Sequence, residues 1–247
     1  MSDESAMLDV LEAEAQGVTQ TVIDIAGEKL IADSDGALWW ADKSVLAVAD
    51  LHLEKGSAFA KRTGQMLPPY DSHATLGRLG VLAERYEPKT IVCLGDNFHD
   101  GDGPSRLDAE ARRAIYALMR GRRFVWIEGN HDAKAALALG GECASEVEFG
   151  PLVFRHEPQR RGARGELAGH LHPVASVATR AQRVRRRCFV SDGMRCVLPA
   201  FGAYAGGLDI FDDAFAPLFP REFTAYLLGR ERVYPFAQTR LSAEGRP

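Results

Sequence analysis

Five short stretches gather side chains that could hold cations: Asp50-Leu51-His52, Gly95-Asp96, Gly129-Asn130-His131-Asp132, His156, and Gly169-His170-Leu171-His172. A single histidine more often packs or caps a turn than binds a metal. Here, however, five of the seven histidines fall inside these stretches. Carboxylate and amide oxygens mixed with imidazole nitrogens suit manganese, iron or zinc better than calcium or magnesium, because histidine favours borderline transition metals. Asp50, His52, Asp96, Asn130, His156, His170 and His172 make seven candidate ligands, too many for one ion that must keep an open position. They suit two divalent ions sharing one carboxylate. Such a pair, about 3.5–4 Å apart, clamps an in-line displacement at phosphorus.

The stretches are placed by what precedes them. Thr90 to Leu94 is a continuous apolar, β-branched run that reads as a strand covered on both faces, and Gly95 then turns the chain to present Asp96. Val45 to Ala49 and Phe124 to Ile127 read the same way ahead of Asp50 and Asn130, and Leu152 to Arg155 ahead of His156. Ligands at the carboxyl ends of strands are the usual arrangement of open α/β sheets. Between these strands, Ser72 to Tyr86 is predicted as an amphipathic helix, and Ser105 to Met119 as another, capped by Ser105. Gly56 to Pro69 reads as a loop carrying Lys55, Lys61 and Arg62, and Lys134 to Leu139 as a short helix. The alternation implies parallel pairing with right-handed crossovers.

Beyond residue 140 short strands succeed one another: Gly165 to Ala168, Val174 to Ala178, Val184 to Val190, Cys196 to Leu198, Leu208 to Phe211 and Phe223 to Leu228. Ahead of the first ligand, Val18 to Ile25, Lys29 to Ile31 and Ala37 to Trp40 are further strand-like pieces. An α/β fold with two packed sheets and outer helices accommodates all of these. We expect a flexible acidic segment at 1–17, a single domain at 18–237 and a loose tail at 238–247.

The 247 residues can bury a full core, and 46% hydrophobic with 26% charged residues is ordinary for a globular protein. A net charge of −4 gives no global case for nucleic-acid binding. Cys93, Cys143, Cys188 and Cys196 lack paired spacing and read as reduced thiols. No secretory layout and no membrane-length apolar run is present, so a cytoplasmic location without membrane contact is expected.

In type and order these blocks resemble the calcineurin-like metallophosphoesterases, whose pattern is D-x-H, G-D, G-N-H-[DE], a further His, and G-H-x-H. The resemblance implies a four-layer α/β/β/α sandwich, two mixed sheets flanked by helices, with two metals at the strand ends. Asp50, His52, Asp96 and His172 would hold the first ion. Asp96, Asn130, His156 and His170 would hold the second, with Asp96 bridging. The implied nucleophile is a hydroxide between the ions. His131 would stabilise the transition state and protonate the leaving oxygen, with Asp132 orienting it. His99, in a G-D-x-F-H form seen in nuclease members, would contact phosphate. His73, beside Ser72 at a helix start, reads as a surface or cap residue.

Asp50-Leu-His-Leu-Glu-Lys-Gly56, Leu67-Pro-Pro-Tyr-Asp71, Phe154-Arg-His-Glu-Pro158 and Leu198-Pro-Ala-Phe-Gly-Ala-Tyr-Ala-Gly-Gly207 are similar to a bacterial subfamily associated with DNA repair and encoded beside a helicase and a ligase. That likeness implies a manganese-dependent phosphodiesterase with endonuclease activity, acting on single-stranded DNA, and association with a repair helicase or ligase. Residues 155 to 195 hold ten arginines against three acids. They form either a solvated, ion-paired face or a track for a nucleic-acid backbone. Arg183, Arg185 and Arg187 would share one strand face as substrate contacts. Gly202 to Gly207 lacks phosphate-loop spacing and reads as a tight turn. The competing readings are a phosphatase or cyclic-nucleotide phosphodiesterase acting on a small substrate, and a non-catalytic scaffold of the same fold.

Overall fold

The computed structural model describes residues 21–63, 70–131, 135–160, 164–178 and 182–242. Asp132, Arg161, Arg180, the segments 1–20 and 243–247, and most of the Leu67–Asp71 block therefore lie outside the described residues.

One sheet runs in spatial order β1 (Thr21–Ile25), β2 (Glu28–Ala32), β3 (Leu38–Trp40), β4 (Val45–Val48), β5 (Thr90–Leu94), β6 (Arg123–Ile127) and β7 (Glu142–Ala144). The first three are joined by antiparallel pairing, and β4 through β7 are parallel. Every residue of β4 and β5 is buried, as a strand with covered faces requires. The second sheet contains β8 (Glu146–Phe149), β9 (Leu152–Arg155), β10 (Glu166–Ala168), β11 (Pro173–Ala178), β12 (Arg183–Ser191), β13 (Arg195–Val197), β14 (Leu208–Asp209), β15 (Thr224–Leu228) and β16 (Val233–Ala237). At its centre β10 lies parallel to both β9 and β13. Among the described residues β16 pairs only with β15, and that edge position tolerates Pro235.

The two sheets face each other across a shared core. Val45, Val92, Leu94 and Ile127 from the first meet Leu152, Phe154, Leu167, Phe189 and Leu198 from the second. The outer face of the first sheet is covered by α2 (Asp71–Tyr86) and α4 (Ala109–Met119), whose Leu76, Leu79, Leu82 and Ile115 pack on Leu46, Ile91, Cys93 and Trp126. The outer face of the second is covered by Ile210, Phe215, Leu218, Phe219 and Phe223, which sit in a run of turns. The arrangement is the expected four-layer sandwich, with turns supplying much of its last layer.

Several local expectations are corrected. The stretch read as a loop from Gly56 is α1 (Lys55–Thr63). Its first turn is satisfied from afar, since Gly56 N–H donates to Asp71 Oδ2 at 3.0 Å. The helix expected from Ser105 begins at Ala109, because Leu107 is extended and Asp108 is the N-cap, accepting from Ala111 N–H at 2.8 Å. Ser105 lies in the one-turn α3 (Gly103–Arg106), its hydroxyl on the Asp102 carbonyl. The short helix near Leu139 is a 3-10 turn, Ala135–Leu139. Strands β7, β8 and β16 were not foreseen. The tail expected to be loose from Gln238 is held as far as Ser242, whose N–H donates to Ser176 O at 3.0 Å. Among the described residues no helix is long and apolar enough to cross a membrane.

Phe154 is fully buried between the sheets. Phe154→Ala is expected to lower unfolding free energy by about 3–5 kcal/mol, the usual cost of deleting a buried aromatic ring. A urea titration of the purified protein measures this as a lower midpoint at unchanged slope.

Candidate metal centre

All five ligand stretches emerge from the carboxyl ends of parallel strands. Asp50 follows β4, Asp96 follows β5 and Asn130 follows β6, while His156 follows β9 and His170 follows β10. The two sheets thus contribute from opposite sides of one cleft. Backbone pairing continues past the strands: His52 N–H donates to Asp96 O at 2.8 Å and Leu53 N–H to Asn97 O at 2.9 Å. Five candidate ligands adopt left-handed backbone, with φ of 53° at Asp50, 44° at His52, 44° at Asp96, 71° at His170 and 47° at His172. For a residue with a Cβ this conformation costs on the order of 1 kcal/mol or more and persists only where surrounding structure imposes it.

The donor atoms converge. His52 Nε2 and His172 Nε2 are 3.2 Å apart, and His172 Nε2 lies 3.4 Å from Asp50 Oδ1. His170 Nδ1 is 3.2 Å from His156 Nε2 and 3.3 Å from the Asn130 side-chain amide. Asp96 stands between the two groups. Its Oδ2 faces His52 Nε2 at 3.9 Å and His131 Nε2 at 3.8 Å, and its Oδ1 faces His156 Nε2 at 3.5 Å. Asp50, His52 and His172 form one cluster with ligand geometry, and Asp50, Asp96 and His156 a second. The tautomer of His156 follows from its Nδ1, which donates to Leu94 O at 2.9 Å and leaves the Nε2 lone pair aimed into the cleft.

Two cations fit these residues on electrostatic grounds. Asp50 and Asp96 are 0% and 4% exposed, yet among the described residues no lysine or arginine pairs with either. Their ionic neighbours are imidazoles. Burial pushes His52 down to about 4, against the pull of the Asp50 carboxylate, so it is neutral at physiological pH. Burial, aided by His156, also lowers His170. A neutral His52 beside two buried carboxylates leaves a deficit of positive charge that divalent ions would fill. The N···N separations of 3.2 Å match two ligands on one ion, since bonds of about 2.1 Å at right angles span roughly 3 Å.

The remaining candidates lie around this cluster. His131 N–H donates to Asp96 Oδ1 at 3.1 Å, and its half-exposed ring lies nearly parallel to that of His99, at 5.9 Å and 13°. His99 N–H donates to Leu53 O at 2.9 Å. Asp132 lies outside the described residues. His73 bonds Asp108 at 2.7 Å and joins α2 to the start of α4. Arg183 and Arg185 are exposed on β12, whereas Arg187 turns inward and donates to Ala200 O at 2.8 Å. Elsewhere in the basic run, Arg155 pairs with Glu146 at 3.0 Å and lies 3.6 Å from Glu166, and Arg195 lies 3.3 Å from Glu166. Burial raises that glutamate's pKa, opposed by the Gln159 N–H and both arginines.

Two features went unread in the sequence. Glu54 is buried, with Ser72 Oγ donating to its Oε1 at 2.8 Å and Ser57 Oγ to its Oε2 at 2.6 Å, bracing the loop that carries Asp50 and His52. Lys55 lies close enough for its charge to oppose protonation of His52. An acid and a base two and three positions after D-x-H were the available signal.

The family model for calcineurin-like phosphoesterases matches residues 43–195, a span that holds every candidate ligand. The chain belongs to this family. No curated protein sequence matches this phosphoesterase significantly. The crystal structure of the Pseudomonas putida nuclease MPE superposes with a TM-score of 0.70 at 29% identity, covering 88% of this chain and 100% of that one. YfcE, a phosphoesterase from E. coli, gives a TM-score of 0.41 at 14% identity over 78% of this chain and 98% of its own, too slight a likeness to bear on the site.

A Cβ at residue 129 would stand 2.0 Å from Asp96 N and 2.3 Å from Asp96 Oδ1, so only glycine lets the β6 loop approach that carboxylate. Gly129→Ala is expected to displace Asp96 and strip metal from the folded protein, as Asp96→Ala does by removing the carboxylate. Metal analysis by plasma spectrometry checks both. Full metal content in a folded Gly129→Ala protein would contradict the packing described.

Proposed function

We propose that this phosphoesterase cleaves phosphodiester bonds in DNA, with two manganese ions in the cleft and single-stranded DNA as substrate. The observation that carries the reading is the position of His131: half exposed at the cleft, beside the carboxylate that lies between both ligand groups. The likeness to a P. putida nuclease over the whole length of that chain supports DNA as the polymer.

In this proposal Asp50, His52, Asp96 and His172 hold one ion, and Asp96, Asn130, His156 and His170 the other. Divalent ions held by these residues would supply Lewis-acid activation of a water and would offset charge on the phosphoryl oxygens. The chain's own groups do the rest. Asp96 Oδ1 accepts the His131 N–H and so fixes the base of that side chain. The imidazolium of His131 then gives its proton to the departing oxygen. The parallel ring of His99 lies on the same side and offers a donor to a non-bridging phosphate oxygen. Asp132 is assigned to the orientation of His131. Arg183 and Arg185, exposed along β12, are assigned to backbone phosphates, while the hydrogen bond from Arg187 to Ala200 gives it a bracing role. All seven ligands and the Asn130-His131 pair are present, which argues against a scaffold that has lost its chemistry.

His131→Ala is expected to keep both metals while turnover falls by roughly 10²–10⁴, the usual scale for a general acid. Turnover of bis-aryl and mono-aryl phosphates in manganese, together with nicking of single-stranded and plasmid DNA, tests the substrate class. An empty site in His131→Ala would overturn its role. Equal monoester turnover without DNA cleavage would favour a small-molecule phosphatase.

A further inference from the structure

The segment Leu198-Pro-Ala-Phe-Gly-Ala-Tyr-Ala-Gly-Gly207 is built against the metal centre in a way that a simple turn does not require. Its first foot leans on the loop of the first ligand: Phe201 N–H donates to Ala49 O at 2.8 Å and Gly202 N–H to Asp50 O at 3.1 Å. A Cβ at Gly202 would lie 2.4 Å from Leu51 O, so the contact depends on glycine. The second foot leans on the loop of the last ligand. Leu208 N–H donates to His172 O at 3.0 Å, and a Cβ at Gly207 would lie 2.9 Å from that same carbonyl. The segment therefore arches between the two loops whose His52 and His172 nitrogens nearly touch. At its crest Ala203, Tyr204 and Gly206 are exposed, Tyr204 to 37%.

Cationic side chains hold this arch by its carbonyls. Arg187 donates to Ala200 O and Arg78 to Phe201 O, and burial lowers the pKa of both guanidinium groups. These two anchor the inner side. Toward solvent, Lys55 Nζ donates to Tyr204 O at 3.0 Å and Arg185 Nη2 to Gly207 O at 2.9 Å. From Leu198 to Gly207 there is no acidic residue. An exposed ring on a segment held by a half-buried lysine and an exposed arginine, beside a centre that acts on phosphate, is the combination by which proteins hold unpaired nucleic acid: bases stack on the aromatic face and cations follow the backbone.

We infer that the Gly202–Gly207 arch is a strand-binding subsite, with Tyr204 stacking an unpaired base and Lys55 and Arg185 receiving the flanking phosphates. This rests on the reading of the enzyme as a nuclease. An ammonium has three donors and a guanidinium five, so each can meet a phosphate while it keeps its carbonyl. The subsite favours single strands, because a base held in a duplex cannot lie flat on an exposed ring.

The test is steady-state kinetics of the manganese-loaded enzyme on an oligodeoxythymidylate and on bis(p-nitrophenyl) phosphate, for wild type, Tyr204→Ala, Tyr204→Phe and Lys55→Ala. Tyr204→Ala is expected to raise KM for the oligonucleotide roughly tenfold or more, with kcat moving far less. Tyr204→Phe, which keeps the ring, restores the wild-type value. Lys55→Ala reduces the log–log dependence of oligonucleotide affinity on salt by about 0.7, the loss of one single-strand phosphate contact. An unmoved KM in Tyr204→Ala, or a Tyr204→Phe as weak as Tyr204→Ala, overturns the subsite while leaving a cleaving wild-type enzyme as a nuclease. A wild-type enzyme that turns over the small diester but never the oligonucleotide overturns the nuclease reading and the subsite with it.

Discussion

Two carboxylates, Asp50 and Asp96, which no lysine or arginine pairs with among the described residues, set the terms for everything around them. Both are buried where two sheets meet, and their ionic neighbours are histidines, one of which burial keeps neutral. Charge in such a place is tolerated only when cations or dense hydrogen bonding offset it. The backbone supplies part: Asp50 accepts the His170 N–H at 3.0 Å and Asp96 the His131 N–H at 3.1 Å. The rest falls to ions. Held between buried acids and neutral imidazoles, they would sit in a medium where their field on a phosphate is screened far less than in water.

The left-handed residues belong to the same constraint. Asp50 and His52 are left-handed on either side of Leu51, and His170 and His172 on either side of Leu171, so each motif takes two left-handed residues within three positions. The shape has a local cost, and long-range packing maintains it. The D-x-H loop leans on the loop after β5, on the buried Glu54 network and on the late arch. The centre is rigid because its neighbours leave those residues no alternative, rather than because they prefer the conformation.

How much of this was legible in the sequence follows from how local each cause is. Val45 to Ala49, Thr90 to Leu94 and Phe124 to Ile127 announced themselves as covered strands because β-branched runs fit little else, and each is followed within three residues by a candidate ligand. The start of α1 was hidden, since Asp71 satisfies it from fifteen positions away. Asp108, by contrast, was a visible cap passed over for Ser105. The arginine run from 155 to 195 read as one basic tract, yet the fold divides it: Arg155 and Arg195 close on the buried Glu166, Arg187 braces the arch, and Arg183 and Arg185 stay exposed. Composition cannot make that division, because it depends on which face of which strand each residue occupies. The role of Lys55 and the arch was equally out of reach, since 149 positions separate the lysine from the carbonyl it holds.

His52 and His172 come from different sheets and stand 120 positions apart in the chain. A growing polypeptide at the ribosome therefore cannot complete that ligand pair until most of its length has emerged and the halves have docked. An ion bound there rivets one half to the other. Cation release and separation of the sheets are thereby linked, so mass action ties the lifetime of the folded enzyme to the free-metal level of its surroundings.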